Sequence, residues 1–463
     1  MDIIVPVFKI TFLSYIIYKL GFIWGVILFF VCYFGLIKLT EILLQLEQIS
    51  VFDSLFFMEY KGSPNVIQTA VIIEKLDYAS FKRLISQRGI QKYKRLRQKV
   101  ERYFNEMFWK EIPIEDAEDN IMLIPSEIKT LSSVMSFIEY EFPKALALSK
   151  PQWEVYYKEN YNETQSLFVF KYHHSLGDGL SLLNLFSGIC DNLDLSEFNT
   201  RAEHVSWPKK ICLALLSPYF VYLTLPQVKK EDVNALQRFG GKISGEKKIV
   251  MSKPFEFEEL RRIYKKYDNC TFNDLAWAII AKSIDKYSTT SLNQKMDTVI
   301  GAMGVSFRTE IIPYELGNCS AGSMVRACVK EELSEGIRSV RDVLKPLKNK
   351  TTMLGASYLL GLISRLFLND SLLKKAGETS FEKVAFIYTN VNGPPTKNLT
   401  IGERKVIEIF PFVPQGNLSF SIITFTYGGQ VRFSLTTDAV NGPDTAQILA
   451  NIESEIDLLV KSK

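Results

Sequence analysis

Eighteen consecutive residues near the start of the chain, 20–37 (LGFIWGVILFFVCYFGLI), carry no charge, and Lys19 and Lys38 bracket them. As a helix they extend about 27 Å, close to the ~30 Å hydrocarbon core of a bilayer. In lipid every backbone polar group must be satisfied internally, and a lone segment does so only as a helix. The run exceeds the ~7–15 apolar residues of a secretory signal, and no small-x-small cleavage site follows it. Residues 1–45 are therefore expected to form a retained membrane anchor, with its span at about 20–37. A shorter apolar stretch, 10–18, lies between Lys9 and Lys19. Too short to cross alone, it either precedes a single span or returns as the other arm of a hairpin. Lysines at 9 and 19 against one at 38 favour a luminal remainder for a single span. A hairpin reverses that.

The remainder has the composition of a folded protein. Of 463 residues, 47% are hydrophobic and the net charge is only +4. That supplies a large core and gives no reason to expect nucleic acid as a partner. Six cysteines, at 32, 190, 212, 270, 319 and 328, show no CxxC and no regular spacing, which argues against a zinc ribbon or a disulfide scaffold. A basic run (Lys82, Arg83, Arg88, Lys92, Lys94, Arg95, Arg97, Lys99, Arg102) reads equally as a solvated helix face or as a contact for anionic lipid headgroups. Two further apolar segments, 211–225 and 353–368, read either as buried core helices or as surfaces partly sunk in a membrane.

Strand patterns occur at 66–73 and 166–172, and helical patterns at 256–267 and 273–287, the second with an N-cap around residues 271–274. Residues 418–427 and 430–436 flank Gly428-Gly429 as a hairpin, and 444–460 reads as an amphipathic helix after Pro443. The chain is expected to be mixed α/β, an α+β arrangement of two lobes. These would be 50–190 and 246–463, joined by a crossover at 191–245 that contains 211–225. A connection that long is usually functional or membrane-facing.

The chain holds three histidines, and two are adjacent in Lys171-Tyr172-His173-His174-Ser175-Leu176-Gly177-Asp178-Gly179, directly after the strand pattern SLFVFKY. Neighbouring residues on a strand point to opposite faces, so one histidine faces a cavity and the other the packing. Asp178 stands where the next helix begins, suited to capping amides or pairing with an arginine. Gly179 allows close backbone approach at the mouth.

An HHxxxDG segment after a strand resembles the active-site motif of the chloramphenicol-acetyltransferase-like acyltransferases. Within them the chain is most similar to the wax ester synthase/diacylglycerol acyltransferases. Asp53-Ser54-Leu55-Phe56-Phe57-Met58-Glu59 resembles that family's opening segment, and Pro151-Gln152-Trp153 its PLW motif, departing at Gln152. Asn273-Asp274 resembles the ND motif, and Val305-Ser306-Phe307-Arg308 followed by Gly317-Asn318 the next two signatures. Asn390-Val391-Asn392-Gly393-Pro394 resembles NVPGP, departing at Asn392. The resemblance implies a two-lobed chloramphenicol-acetyltransferase-like fold with the active site between the lobes. It also implies transfer of a long-chain acyl group from acyl-CoA to a fatty alcohol, a diacylglycerol, or both. His174 would be the general base, with His173, Asp178 and Gly179 completing the motif. An imidazole near pKa 6.5 suits that role. Asn273 is the candidate oxyanion donor and Arg308 the partner of Asp178, with Asp274 and Trp153 in support. The absence of a GxSxG elbow agrees with a mechanism without an acyl-enzyme.

No metal or cofactor is expected beyond acyl-CoA as co-substrate. Seven N-x-[ST] sequons, one at Asn318 inside a family motif, reflect asparagine abundance rather than glycosylation. The partners expected are acyl-CoA, the acceptor lipid and membrane lipids, with no nucleic acid. Cytosolic acyl-CoA favours the hairpin arrangement, with the catalytic region on the cytoplasmic face of an endoplasmic reticulum membrane or a lipid droplet. Two other readings stand beside this one: an HHxxxDG enzyme of the condensation or plant alcohol acyltransferase type, and an inactive lipid-binding protein on the same fold.

Overall fold

The computed structural model describes residues 4–104, 106–125, 127–198, 206–224, 235–241, 243–308, 310–349, 352–357, 375 and 383–461. Alternation along the strand Gln165–His173 organises the first lobe. Phe168 and Tyr172 turn into one buried cluster, and Leu167 and Val169 into another on the opposite face. The strand pairs antiparallel with Val66–Glu74 along its whole length, from Val66 opposite His173 to Glu74 opposite Gln165. The sheet runs in the spatial order Thr400–Ile401, Arg404–Phe412, Val66–Glu74, Gln165–His173, Trp153–Lys158, Ile121–Leu123.

The second sheet runs Ser320–Cys328, Thr298–Ser306, Phe386–Asn392, Phe420–Tyr427, Gln430–Asp438, Lys247–Met251. Its two inner steps, on either side of Phe386–Asn392, are parallel. The expected hairpin is present, and Gly428 (φ 57) and Gly429 (φ 82) take the positive φ values that a two-residue turn requires. Helix Phe272–Leu292 covers one face with Trp277 fully buried, packed beside Leu333–Leu344 and Thr445–Lys461.

Chain order and spatial order part company at one place. The strand Arg404–Phe412 follows most of the second lobe in sequence, yet it pairs with Val66–Glu74 in the first sheet. The lobes are therefore stitched together and do not follow one another cleanly at 191–245. Without Arg404–Phe412 the strand Val66–Glu74 would be an open edge.

At the N-terminus, helices Ile4–Leu20 and Phe22–Leu44 fold back on each other across Gly21. Gly25 is where they come closest: a Cβ there would stand 2.6 Å from the Ile17 Cα. The two helices form an antiparallel hairpin. Its second helix runs beyond the expected span of 20–37, and Lys38 pairs with Glu41 on it at 3.0 Å. Among the described residues it is the one helix long and apolar enough to cross a bilayer, by length and composition. The hairpin docks on a small sheet of Leu46–Gln48, Glu106–Glu111 and Gln98–Tyr103. There Tyr33 Oη donates to Glu106 Oε1 at 2.5 Å, and Ile37 and Leu46 cluster with Phe108.

The basic run is largely neutralised. Lys82 pairs with Glu118, Arg88 with Asp191, Lys94 and Arg95 with Glu47, Arg97 with Glu111 and Lys99 with Glu101. That favours a solvated, ion-paired surface over a headgroup contact. Segment 211–225 folds as the end of helix Trp207–Leu215 and helix Ser217–Thr224, with Leu225 outside the described residues. It is not a core helix, for Leu215 is 76% and Tyr222 70% exposed. In 353–368, Met353 is buried and 358–368 lie outside the described residues, as do 199–205, 225–234 and 242 of the crossover.

Candidate active site

Strand Gln165–His173 stops at the histidine pair, His174–Leu176 makes one turn of 3-10 helix, and helix Gly179–Ile189 begins behind it. Strand alternation separates the two imidazoles as expected. His173 is 2% exposed and faces the packing. Its Nδ1 meets Ser175 Oγ at 2.7 Å, its Nε2 meets Glu59 Oε1 at 3.0 Å, and its ring stacks on Phe57. His174 turns into a cavity of 1410 Å³ between the lobes. Its ring lies parallel to Phe56 with centroids 3.8 Å apart. Its backbone N–H donates to the Asn65 carbonyl at 2.7 Å, which ties it to the neighbouring strand.

The His174 Nδ1 stands 3.2 Å from Asn318 Oδ1. Asn318 Nδ2 in turn donates to Asp53 Oδ1 and to the His174 carbonyl, each at 2.8 Å. Burial pushes the His174 pKa down to about 4, against an ordinary value near 6.5. The imidazole is neutral at physiological pH, by a wider margin than its ordinary pKa implies, because the stacked and enclosed ring is deprived of the water that would solvate its cation.

Asp178 caps the helix behind the motif, accepting from Ser181 N at 3.1 Å. Arg308 Nη2 reaches both carboxylate oxygens, at 3.1 and 3.2 Å, and also donates to Ser181 Oγ at 2.8 Å and to the Gly317 carbonyl at 2.5 Å. The Cys319 N–H donates to Asp178 Oδ2 at 2.9 Å. The expected Asp178–Arg308 pair is therefore present, and it fastens the HHxxxDG loop of one lobe to residues 317–319 of the other. Gly179 lines the cavity, and a Cβ on it would stand 3.0 Å from Val391 Cγ2.

Trp153 is fully buried with its Nε1 donating to the Leu96 carbonyl at 2.7 Å, and its ring forms part of the cavity wall. Asn273 is not among the residues lining the cavity. The helix starts one residue before it, capped by Thr271, and Asn273 Oδ1 accepts from Asn390 Nδ2 at 2.9 Å. Asn390 does line the cavity, so Asn273 meets the site through that residue. Asp274 also stays off the cavity wall. It closes the capping box with the Thr271 N–H at 2.7 Å and pairs with Lys348 Nζ at 2.7 Å. Of the two departures from the family pattern, Asn392 lines the cavity, whereas Gln152 holds its own loop through the Ala147 and Lys150 carbonyls. Asn318 is 5% exposed and engaged across the lobes, in keeping with its sequon being incidental. Asp53 and Asn318 entered the sequence reading only as letters of family motifs. Their contact spans 265 residues, and no local signal announces it.

In the first lobe the cavity is lined by the apolar side chains of Ile67, Val71, Phe168, Phe170, Leu185 and Ile189. Elsewhere it is lined by Arg261 and Lys265 of helix Phe257–Lys265. Its volume exceeds the ~300–1,000 Å³ of a typical small-ligand site, leaving room for two substrates at once.

Residues 317–460 match the family model for the WS/DGAT C-terminal domain. No curated protein sequence matches the chain. Among solved structures it is similar to the wax ester synthase/diacylglycerol acyltransferase from Marinobacter aquaeolei VT8, at 17% identity over 89% of this chain and 98% of that one, with a TM-score of 0.57. TRI3 trichothecene 15-O-acetyltransferase from Fusarium sporotrichioides is 13% identical over 89% and 95% of the two chains, with a TM-score of 0.61. A single-substitution variant of the starter condensation domain of rhizomide synthetase RzmA, solved with C8-CoA, is 11% identical over 90% and 94%, with a TM-score of 0.59. These likenesses share one two-lobed mixed α/β fold. Over residues 317–460 the chain matches the WS/DGAT C-terminal domain, and over about nine tenths of its length it shares the fold of these structures.

Proposed function

We propose that this protein is a membrane-held, acyl-CoA-dependent O-acyltransferase. It moves a long-chain acyl group onto a fatty alcohol, a diacylglycerol, or both, giving wax ester or triacylglycerol. The observation that carries the reading is the His174 ring, stacked on Phe56 and tied to Asn318, at a cavity lined by apolar side chains and by Arg261 and Lys265. His174 Nε2 takes the proton of the acceptor hydroxyl as that oxygen attacks the thioester carbonyl. The tetrahedral intermediate collapses, the C–S bond breaks, and the proton on Nε2 passes to the departing CoA sulfur. Acyl transfer is then direct, with no acyl-enzyme and no cofactor beyond the co-substrate. The apolar lining of Ile67, Val71, Phe168, Phe170, Leu185 and Ile189 suits an alkyl chain. Arg261 and Lys265 suit the phosphates of CoA.

The apolar hairpin Ile4–Leu20 and Phe22–Leu44 would hold the enzyme where its acceptors dissolve. With both ends on one side, it agrees with a catalytic region on the cytoplasmic face of the endoplasmic reticulum or on a lipid droplet. The test uses membranes from cells expressing wild type or His174→Ala, supplied with labelled palmitoyl-CoA and hexadecanol, a diacylglycerol or a shorter alcohol. A His174-dependent wax ester or triacylglycerol band is the expected result. No His174-dependent product with any acceptor would overturn it.

A further inference from the structure

We infer that Asp53, together with the His174 carbonyl, sets the tautomer of His174 by orienting the Asn318 amide, acting from one lobe through Asn318 on the other. The inference rests on His174 being the general base and adds two positioning residues to it. A side-chain amide has two faces, one that donates and one that accepts, and its neighbours decide which way it lies. Asn318 has no freedom here. Its Nδ2 sits 2.8 Å from Asp53 Oδ1 and 2.8 Å from the His174 carbonyl oxygen, both acceptors. Reversing the amide would put oxygen against oxygen at both contacts. Asn318 Oδ1 must therefore face His174 Nδ1, at 3.2 Å. An oxygen there accepts, so Nδ1 carries the hydrogen and the lone pair is left on Nε2, where the acceptor's proton has to go.

Asp53 makes the arrangement rigid. The Asn318 backbone N–H also donates to Asp53 Oδ1 at 2.8 Å, so the same carboxylate oxygen holds the residue at two points. Asp53 is 3% exposed and Asn318 5%, and neither lines the cavity. Asp53 sits on the short helix Val51–Leu55, which Ser50 caps by accepting the Asp53 N–H at 3.0 Å. That helix follows the membrane hairpin after one short strand. Asp53 and Asn318 thus act on His174 without touching substrate.

The experiment reads the tautomer directly. The chain has only three histidines, His173, His174 and His204, so ¹⁵N-histidine labelling gives a spectrum simple enough to assign, with His174→Ala removing the His174 signals. Wild type should show His174 with the hydrogen on Nδ1. A hydrogen on Nε2 would overturn the inference whatever the variants do. Asp53→Ala removes one of the two acceptors that hold the amide, so part of the population should take the Nε2–H form. The turnover number should fall by roughly ten- to a hundredfold with KM for acyl-CoA nearly unchanged, a fraction of the ~10⁴ seen where a triad imidazole takes the wrong tautomer. A folded Asp53→Ala variant whose His174 stays wholly in the Nδ1–H form sinks the positioning role alone. A His174→Ala variant with wild-type turnover sinks the general-base reading instead.

Discussion

Asp178→Asn isolates the ion pair that joins the lobes. Asn and Asp cap helices about equally well, so the cap on helix Gly179–Ile189 is retained. What is lost is the charge facing Arg308 and one of the two acceptor oxygens that now serve Ser181 N and Cys319 N. The side chains of Arg308 and Asp178 are 12% and 6% exposed, so the pair is largely buried. Removing one member of such a pair costs about 3–5 kcal/mol, because the other charge stays buried. Ser181 Oγ and the Gly317 carbonyl still accept from Arg308, which points to the lower end, about 3 kcal/mol, with about 1 kcal/mol more for the lost backbone bond. An unfolding entropy near 2.1 cal/mol/K per residue gives about 1 kcal/mol per kelvin for a chain this long, so Tm should drop by roughly 3–5 °C. Arg308 also holds the carbonyl next to Asn318, so turnover should fall in the variant at temperatures where it remains folded. The assay is thermal unfolding in detergent by tryptophan fluorescence, paired with initial rates on the same sample. A Tm within about 1 °C of wild type with unchanged turnover would refute the claim that this pair ties the lobes together.

Other outcomes follow from the same geometry. His174→Ala should lower turnover by at least ~10². In wild type the neutral imidazole is the working form and its pKa is held near 4, so the rate should fall only as pH drops through that value. A limb near pH 6.5 would show that burial does not depress the group. Arg261→Ala or Lys265→Ala should raise KM for acyl-CoA by roughly tenfold, as expected for losing a hydrogen bond to a charged group, with less effect on turnover; an unchanged KM would remove these residues from the donor site. Val71→Trp narrows the apolar part of the cavity at a lining position that is 1% exposed. It should shift preference toward shorter chains, read by competing C8 and C16 substrates. Tags at the two ends of the chain should be cut by protease from the same side of sealed vesicles, and protection of only one of them would favour a single crossing.

The sequence by itself determined what depends on neighbours a few residues apart. Alternation along SLFVFKYHH sent the two imidazoles to opposite faces. Asp178 followed by an apolar helical run defined a capped helix. Gly428-Gly429 defined a hairpin, and the charge-free stretch at 20–37 defined a long apolar helix. These features are local because caps, turns and periodicity are settled within one or two turns of chain. Family resemblance extended the reading to His174 as base and to the Asp178–Arg308 pair, 130 residues apart.

The tertiary structure decided what depends on how distant segments close together. It laid strand Arg404–Phe412 on the first lobe's sheet, a pairing that no pattern within the strand specifies. It started a helix one residue before Asn273 and so put that side chain behind Asn390 instead of in the cavity. It brought Asp53 and Asn318 to the imidazole from opposite lobes. Residue types disclose which groups are able to donate or accept. Only the folded chain fixes which of them meet, because a buried donor must find its acceptors among the groups that packing brings within reach.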